Sequence, residues 1–475
     1  MRNHLFRLAL GPILFLLCLL IGDPFDVQVR MIATMVWMLT WWITSALPIG
    51  VTALVPIILF PMLGILDLKE TTANYANPVI YLFLGGFVLG LAIEKWNLHK
   101  RIALNIINLS GEKPTRIILG SMIATAILSM WISNTATTVM MLPIGMSVVA
   151  LLGNKLNNDK AGRNFGITLM LGIAYAANIG GITTLIGTPP NLVLAGIVKE
   201  SGLVELGFAN WLFFALPLVI ILFAVVYILN TRVLFPIKIE RLTGIGELIS
   251  TELKALGKLG KGEKRVMWIM LCTALLWIFR AQLTQIEWFK NLSDPTIAIF
   301  ASVVLFAFPS GESQKPEPLL VWKDTKRLPW DILLLFGGGI SLAQGMEVTD
   351  IVGLVGNWIS SGNIEHPLLI ILLICFLAVF LTEVMSNVAL VSVFVPVSFV
   401  VAQNLGLSEL ELAIPLTIGS SCAFMFPIST PPNAIVYSSG YIKMGEMARS
   451  GLPLSLICVL IISLYCWLVQ GYFFG

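Results

Sequence analysis

Two polar clusters interrupt long apolar segments and carry side chains that are well suited to bind ions. The first, Ser133-Asn134-Thr135, follows Ser129 within a segment from Ile117 to Asn154 that contains no charged residue. The second, Ser386-Asn387-Val388, repeats the Ser-Asn pair in the other half of the chain. Hydroxyl and amide oxygens suit hard cations such as Na+, and Ser, Asn and Thr are also good helix N-caps. The clusters predict paired helix breaks, with new helices starting near Thr135 and Val388.

A second pair of related motifs, Thr188-Pro-Pro-Asn191 and Thr430-Pro-Pro-Asn433, also lies inside apolar runs. A residue before Pro avoids helical geometry, and Pro suits the first turn of a helix because its missing N–H is not needed there. Each motif predicts a span broken into two half-helices, with Thr near the N-cap of the second. One such motif alone is compatible with a simple kink, but two related copies favour functional breaks.

The four breaks together indicate a class of ligand. The N-terminus of a half-helix attracts anionic groups, whereas C-termini and unwound carbonyls suit Na+. No Lys or Arg lies at the breaks, so the charge of a bound anion must be offset by a mobile cation. These features predict cation-coupled uptake of an anion. The sequence contains no nucleotide-binding loop, metal-ligand spacing or nucleophile elbow, so we expect neither an enzyme nor an organic cofactor.

Glu383 is the one acid well inside the second polar segment. Ionisation at that depth is costly unless the carboxylate is paired. We interpret Glu383 as a structural carboxylate that is hydrogen-bonded beside the break, with a role in proton coupling as the alternative.

The composition requires a membrane environment for these motifs. The chain has 475 residues, of which 57% are hydrophobic and 12% charged, and its mean hydropathy is +0.91. Soluble proteins of this length are far less apolar, so we predict an all-α polytopic membrane protein. Eleven spans are predicted, near residues 8–22, 30–47, 49–66, 78–94, 164–198, 209–235, 266–282, 295–309, 329–346, 410–442 and 450–473. The first run lacks a small-x-small cleavage site, so it reads as a retained helix rather than a signal peptide.

Two further apolar segments, about 115–152 and 366–405, contain the Ser-Asn pairs. Each could form two full spans or one re-entrant helical hairpin, and either form returns the chain to its starting side. A turn at the membrane surface usually attracts charges, and none flanks these centres closely except Glu383. The pattern therefore favours re-entrant hairpins.

The distribution of Lys and Arg orients the chain. In the predicted layout 24 of the 29 cationic residues lie on the N-terminal side and five on the other. Cytoplasmic loops carry the excess of Lys and Arg, so we predict a multi-pass protein of the cell (inner or plasma) membrane with its N-terminus cytoplasmic and its C-terminus extracytoplasmic.

The two halves of the chain after the first helix repeat each other. Leu84-Gly85-Gly86 is echoed by Phe336-Gly337-Gly338, and both polar motifs recur in the same order. Each half crosses the membrane five times, so the second half starts from the opposite face. Such an inverted repeat is typical of secondary transporters, which bind substrate at the repeat interface near the midplane.

These motifs, with the segment from Ser420 to Val436, resemble the divalent anion/sodium symporter family over essentially the whole chain. The resemblance implies a homodimer of eleven-helix protomers with two re-entrant hairpins and an elevator mechanism, in which a transport domain slides against a scaffold. The domains implied are scaffold parts at 1–112 and 265–360, transport parts at 113–236 and 361–475, and a cytoplasmic connector at 237–264.

The resemblance also assigns candidate ligands. The first Na+ site would use Ser129, Ser133, Asn134 and Gly187, and the second Thr382, Met385, Asn387 and Ser429. The substrate would meet Asn134, Thr135, Thr188, Asn387 and Thr430, together with position 388. There the family commonly has Thr, and Val388 lacks the hydroxyl, which leaves the substrate open. We expect Na+-coupled import of C4-dicarboxylates such as succinate, fumarate or malate. The alternatives are a sulfate, citrate or tartrate transporter, a Na+-independent exchanger of the same fold, and a channel or non-transporting receptor.

Overall fold

A computed structural model describes residues 2–152, 160–203, 205–311, 317–351 and 366–474. In these ranges the chain is helical and contains no β-strand. The α-helices of the first half are α1 Arg2–Ile21, α2 Val27–Thr44, α3 Ile49–Thr52, α4 Val55–Leu63, α5 Leu68–Ala73, α6 Pro78–Lys95, α7 Leu98–Leu109, α8 Pro114–Ser129, α9 Asn134–Ala150, α10 Lys160–Ile182, α11 Pro189–Glu200 and α12 Phe208–Ile228. A π-helical turn, Leu229–Leu234, extends α12.

The second half follows the same plan. Its α-helices are α13 Ile245–Leu256, α14 Lys261–Ile278, α15 Arg280–Leu283, α16 Asp294–Ala307, α17 Trp330–Val348, α18 Pro367–Leu381, α19 Asn387–Asn404, α20 Glu409–Ser420, α21 Pro431–Ser438 and α22 Met444–Phe474. The predicted boundary between residues 360 and 361 lies outside the described residues.

Several helices have the length and apolarity needed to cross a bilayer. Within the described ranges there are seven such stretches: His4–Ile21, Leu68–Lys95, Lys160–Ile182, Phe208–Leu234, Trp330–Val348, Asn387–Asn404 and Met444–Phe474. Shorter apolar helices include α8, α9, α16 and α18. The protein is therefore a multi-pass membrane protein, as predicted, while the count of eleven spans stays a prediction.

The helices before and after the breaks form the centre of the molecule. Along α10 nearly every residue is buried, because α8, α9, α12 and α21 surround this helix. In the second half α20 packs between α18, α19 and α22. The two halves also exchange partners, because α11 packs on α19 and α21 packs on α9. Each half-helix that follows a break thus lies against the polar hairpin of the other half.

Ion pairs join the charge clusters that the sequence assigns to one side of the membrane. Arg101 Nε lies 2.5 Å from Glu263 Oε1, and Lys95 Nζ lies 2.6 Å from Asp324 Oδ2. On the opposite predicted side, Arg280 Nε lies 3.1 Å from Asp294 Oδ1. These ion pairs therefore connect neighbouring elements at one predicted side of the membrane or the other.

Candidate functional site

The two Ser-Asn clusters are short non-helical turns that each separate two helices. α8 ends at Ser129 and α9 begins at Asn134, with the Ser133 hydroxyl accepting the Ala136 N–H at 3.2 Å. α18 ends at Leu381 and α19 begins at Asn387, with Ser386 as its N-cap. Both helices start one residue before the predicted positions. The predictions are this close because N-cap residues can be recognised from the local sequence.

An oxygen cluster lies at the first turn. The fully buried Ser129 Oγ is 2.6 Å from Asn134 Oδ1 and 2.7 Å from the Ala177 carbonyl oxygen of α10. The same end of the Asn134 amide lies 3.2 Å from the Ala177 oxygen and 3.3 Å from the Gly187 carbonyl oxygen. Three oxygens and one end of the Asn134 amide, from three separate segments, thus converge on one small volume. We call this group cage 1.

The second turn repeats this arrangement at the same spacing. Thr382 Oγ1 lies 2.7 Å from Asn387 Oδ1, five residues later, and 2.6 Å from the Ser420 carbonyl oxygen at the end of α20. Thr382 is fully buried. We call this group cage 2. The hydroxyl, the amide and the carbonyl of cage 2 correspond to those of Ser129, Asn134 and Ala177.

In each cage, the hydroxyl has more acceptor oxygens around it than it has protons to donate. A hydroxyl has one proton to donate, yet each cage hydroxyl lies within 2.7 Å of two acceptor oxygens. A cation between the oxygens would resolve the excess. In cage 1 a turned Asn134 amide, which directs its NH₂ group at the same oxygens, would also do so. The donor set consists of neutral oxygens, so it fits Na+ and does not fit a soft metal.

The Thr-Pro-Pro-Asn motifs break two buried helices as predicted. Thr188 and Thr430 are the N-caps of α11 and α21, and each N-cap is followed by Pro in the first helical turn. Asn191 Nδ2 donates to the carbonyls of Ile182 and Thr184 at 3.1 and 2.8 Å. The amide of the motif therefore satisfies carbonyls that the break removes from helical bonding.

Asn433 has the same function in the second half. Its Nδ2 lies 3.1 Å from the carbonyl oxygens of Ala423 and Phe426 and 3.1 Å from Ser429 Oγ. Because Asn433 is fully buried, water cannot replace these bonds. The final residue of the motif thus stabilises the unwound segment, a function that the sequence pattern alone did not reveal.

Glu383 fastens the second hairpin turn to the unwound segment. Its Oε1 accepts the backbone N–H groups of Phe424 and Met425 at 2.7 and 2.9 Å, and its Oε2 accepts that of Phe426 at 3.2 Å. The residue is 1% exposed. This geometry agrees with the interpretation of Glu383 as a hydrogen-bonded structural carboxylate. The corresponding position after Ser129 is Met130, whose carbonyl accepts the Thr184 hydroxyl at 2.6 Å.

The structure brings some of the predicted site residues into contact and gives others different partners. Ser129, Asn134 and Gly187 meet in cage 1, and Thr382 and Asn387 meet in cage 2. Other predicted ligands have partners outside the cages: Ser133 caps α9, Ser429 Oγ donates to the Phe426 carbonyl at 2.6 Å, and the Met385 N–H donates to Leu381.

The predicted substrate residues differ in exposure. Thr135 is exposed at the turn, whereas Val388 is 9% exposed. Thr188 and Thr430 are buried at the starts of α11 and α21. One contact of Thr430 was not expected from the sequence, because Asn178 Nδ2 of α10 lies 3.2 Å from its Oγ1. The available signal was an amide in the otherwise apolar run from Ile173 to Ile179.

Comparisons with known proteins identify the family of the chain. A family model described as the sodium:sulfate symporter transmembrane region matches residues 4–472. Two relatives from Staphylococcus aureus strains USA300 and bovine RF122 / ET3-1, each named sodium-dependent dicarboxylate transporter SdcS, are 40% identical over 481 residues, which cover 100% of this chain and 92% of each relative. The crystal structure of the Alcanivorax borkumensis YdaH transporter aligns with a TM-score of 0.54 at 15% identity, over 86% of this chain and 89% of that one. At this identity the structural match shows similarity of fold alone.

Proposed function

Because the chain belongs to the sodium:sulfate symporter family, which is the divalent anion/sodium symporter family of the sequence analysis, we propose that it imports divalent organic anions by Na+ symport. Its relatives are transporters, and the chain is not an enzyme. The proposed substrates are C4-dicarboxylates such as succinate, fumarate and malate. The name of the relatives supports sodium-dependent dicarboxylate transport, and the site supplies the chemistry for it.

The single observation that carries the proposal is the pair of equivalent oxygen cages. Each has a buried hydroxyl that lies within 2.7 Å of both an amide oxygen and a backbone carbonyl oxygen. We propose that cage 1 and cage 2 each bind one Na+. The first site would be completed by the Ser133 and Gly187 segments and the second by the Met385 and Ser429 segments.

The anion would bind between the two Na+ ions. The N-termini of α9, α11, α19 and α21 provide N–H groups and partial positive charge there, and Thr135, Thr188 and Thr430 provide hydroxyls. No Lys or Arg lies in the four break segments, 129–135, 183–191, 382–388 and 421–433. The bound Na+ ions would therefore supply the positive charge that a dianion requires. Because the anion would bind only together with Na+, transport of the anion would be coupled to transport of Na+.

The proposed architecture follows the sequence analysis. We propose eleven membrane-spanning segments in an inverted repeat, with re-entrant hairpins formed by α8–α9 and α18–α19. The transport domain (113–236 and 361–475) would move as an elevator against the scaffold (1–112 and 265–360), with 237–264 as the cytoplasmic connector. We further propose a homodimer whose N-terminus is cytoplasmic and whose C-terminus is extracytoplasmic.

Uptake of radiolabelled succinate into proteoliposomes tests the proposal. We expect uptake that requires an inward Na+ gradient, and loss of this uptake in both Asn134→Ala and Asn387→Ala, because each variant removes an oxygen from one cage. Uptake that is equally fast in choline would contradict symport. Wild-type uptake rates retained by both variants would contradict the cage assignment.

One observation favours a second candidate substrate class. Val388 places an apolar side chain where the first half has Thr135, so one hydroxyl donor is missing. A smaller or differently shaped anion, such as sulfate, or a larger one, such as citrate or tartrate, would then be the substrate. Competition of succinate uptake by excess sulfate, citrate or tartrate distinguishes these candidates, and succinate counterflow without Na+ would indicate an exchanger.

A further inference from the structure

Asn178 connects the two halves of the protein at the proposed anion site. It lies in α10 of the first half and is 2% exposed. Its Nδ2 group donates to Thr430 Oγ1 at 3.2 Å and to the Ala423 carbonyl at 3.4 Å, both in the broken helix of the second half. Asn178 is not part of either oxygen cage, so the proposed Na+ sites do not explain it.

The Thr430 oxygen receives a second donor from its own helix. The Asn433 N–H points at Thr430 Oγ1 at 3.4 Å, as expected for an N-cap. A hydroxyl has two acceptor lone pairs and one proton. With both lone pairs facing N–H donors, the proton must point to a third group. The Thr430 hydroxyl donates to no acceptor among the described residues, and a bound anion at the N-terminus of α21 would be that third group.

We propose that Asn178 is a positioning residue that fixes the Thr430 hydroxyl as a hydrogen-bond donor to the transported anion. This inference rests on the proposed function and names a determinant of its substrate affinity. Asn178 does not touch the anion itself. It acts by donating to a lone pair of the Thr430 oxygen, so that the hydroxyl proton is left to point at the anion.

The corresponding position in the other half lacks this device. Ala177 and Ser420 supply equivalent cage carbonyls, so Asn178 corresponds to Ser421. The Ser421 hydroxyl is buried and has no hydrogen-bond partner among the described residues, and Thr188 makes no side-chain cap bond. Only the Thr430 side of the site is fixed in this way. Val388 belongs to the same half of the chain as Thr430, so Thr430 is a hydroxyl donor that this half retains.

A double-mutant cycle on succinate uptake in proteoliposomes tests this inference. We compare the wild type, Asn178→Leu, Thr430→Val and the double variant, and we measure the KM for succinate and the Na+ concentration at half-maximal uptake. Each single variant should raise the KM about tenfold, the loss expected for a hydrogen bond to a charged group. The Na+ dependence should stay within about twofold, since the cages are intact.

The decisive result is the coupling between the two positions. We expect the double variant to have the KM of Thr430→Val, because Asn178 has no role once the hydroxyl is gone. Additive effects, or an unchanged KM in Asn178→Leu, would overturn the proposal. A wild type without Na+-dependent uptake would instead refute the proposed function, so the two failures are distinguishable.

Folding is controlled with two further variants. Asn164 lies on the same helix and donates to the Pro236 carbonyl at 3.0 Å, away from the breaks. Asn164→Leu should leave the KM unchanged. If Asn178→Leu does not fold, Asn178→Ala removes the same donor with a smaller, neutral side chain. The KM should rise again, and this rise should vanish in the Thr430→Val background. Persistence of the rise in that background would overturn the proposal.

Discussion

At the scale of single residues, the difference between Thr135 and Val388 is the sharpest asymmetry in the site. Both follow the Asn of a cage and occupy the first turn of the second arm, in α9 and α19 respectively. Val388 is 9% exposed, so a hydroxyl there would lie close to the interior and would need a partner. In the proposed function, a bound dicarboxylate would accept the hydrogen bond of such a hydroxyl.

The variant Val388→Thr should therefore bind a C4-dicarboxylate more tightly. An added hydrogen bond to a charged group contributes about 1.5 kcal/mol, which corresponds to a KM roughly tenfold lower. The KM for succinate and the Na+ dependence are measured in proteoliposomes, with Thr135→Val as the opposite change. A higher KM in Val388→Thr would show that the apolar side chain is matched to a different anion.

The sequence predicted part of the candidate site, and the missing part has a common physical cause. The family resemblance assigns Ser129, Asn134 and Thr382, because it is carried by motifs that are contiguous or nearly so. Asn178 could not be linked to Thr430, since their contact joins residues 252 positions apart and depends on how α10 meets the other half. Local motifs identify ligands, whereas tertiary packing decides which groups orient them.

At the scale of elements, Glu383 holds a hairpin turn and an unwound segment together. Three consecutive backbone N–H groups, from Phe424 to Phe426, have lost helical partners and are satisfied by one carboxylate. The Ser420 carbonyl of cage 2 lies just before this segment. The carboxylate should therefore control how well cage 2 is preformed.

Glu383→Gln tests this link between the carboxylate and cage 2. A glutamine side chain has one acceptor oxygen in place of two, so at least one buried N–H loses its partner at a cost of about 1–3 kcal/mol. We expect a lower melting temperature in detergent and a several-fold higher Na+ concentration at half-maximal uptake. Glu409→Gln, at the half-buried start of α20 and away from the breaks, is the control and should behave as wild type. If the Na+ dependence of Glu383→Gln is unchanged, the carboxylate does not affect Na+ binding at cage 2.

Helix boundaries could be predicted where local sequence sets them and were missed where tertiary packing sets them. The helices that follow the breaks begin at or within one residue of their predicted starts, because caps and prolines set them. α7 was not predicted, since residues 95–116 read as a charged loop between spans. Its buried face, Leu98, Leu104 and Ile107, has helical spacing but is too short and too polar to resemble a span. The predicted span 49–66 is likewise interrupted, between α3 and α4, just before Pro56.

At the scale of the whole molecule, glycines line the contact between the proposed scaffold and the proposed transport domain. A Cβ added at Gly86 of α6 would lie 3.0 Å from Ile186, and one at Gly90 would lie 3.2 Å from the Trp131 carbonyl oxygen. In the second half, a Cβ at Gly339 of α17 would lie 3.0 Å from Ser392 Oγ of α19. These three glycines therefore let groups of the proposed transport domain approach α6 and α17 closely. Such a surface resists sliding less than a ridged one.

A cross-link across this surface tests whether the two groups of helices move relative to each other. A Cβ at position 339 would lie 3.2 Å from the Ser392 Cβ, a few tenths of an ångström short of the roughly 3.5–4.5 Å that a disulfide requires. We expect Gly339→Cys/Ser392→Cys, in a background without the exposed Cys272, to form this bond on oxidation and to lose Na+-driven succinate uptake. Reduction should restore uptake, and each single cysteine variant should be insensitive to the oxidant. If the cross-linked protein, verified by mass spectrometry, transports at the wild-type rate, then α17 and α19 stay together during the cycle. The moving parts would then be smaller than a domain, and the proposed elevator would be excluded.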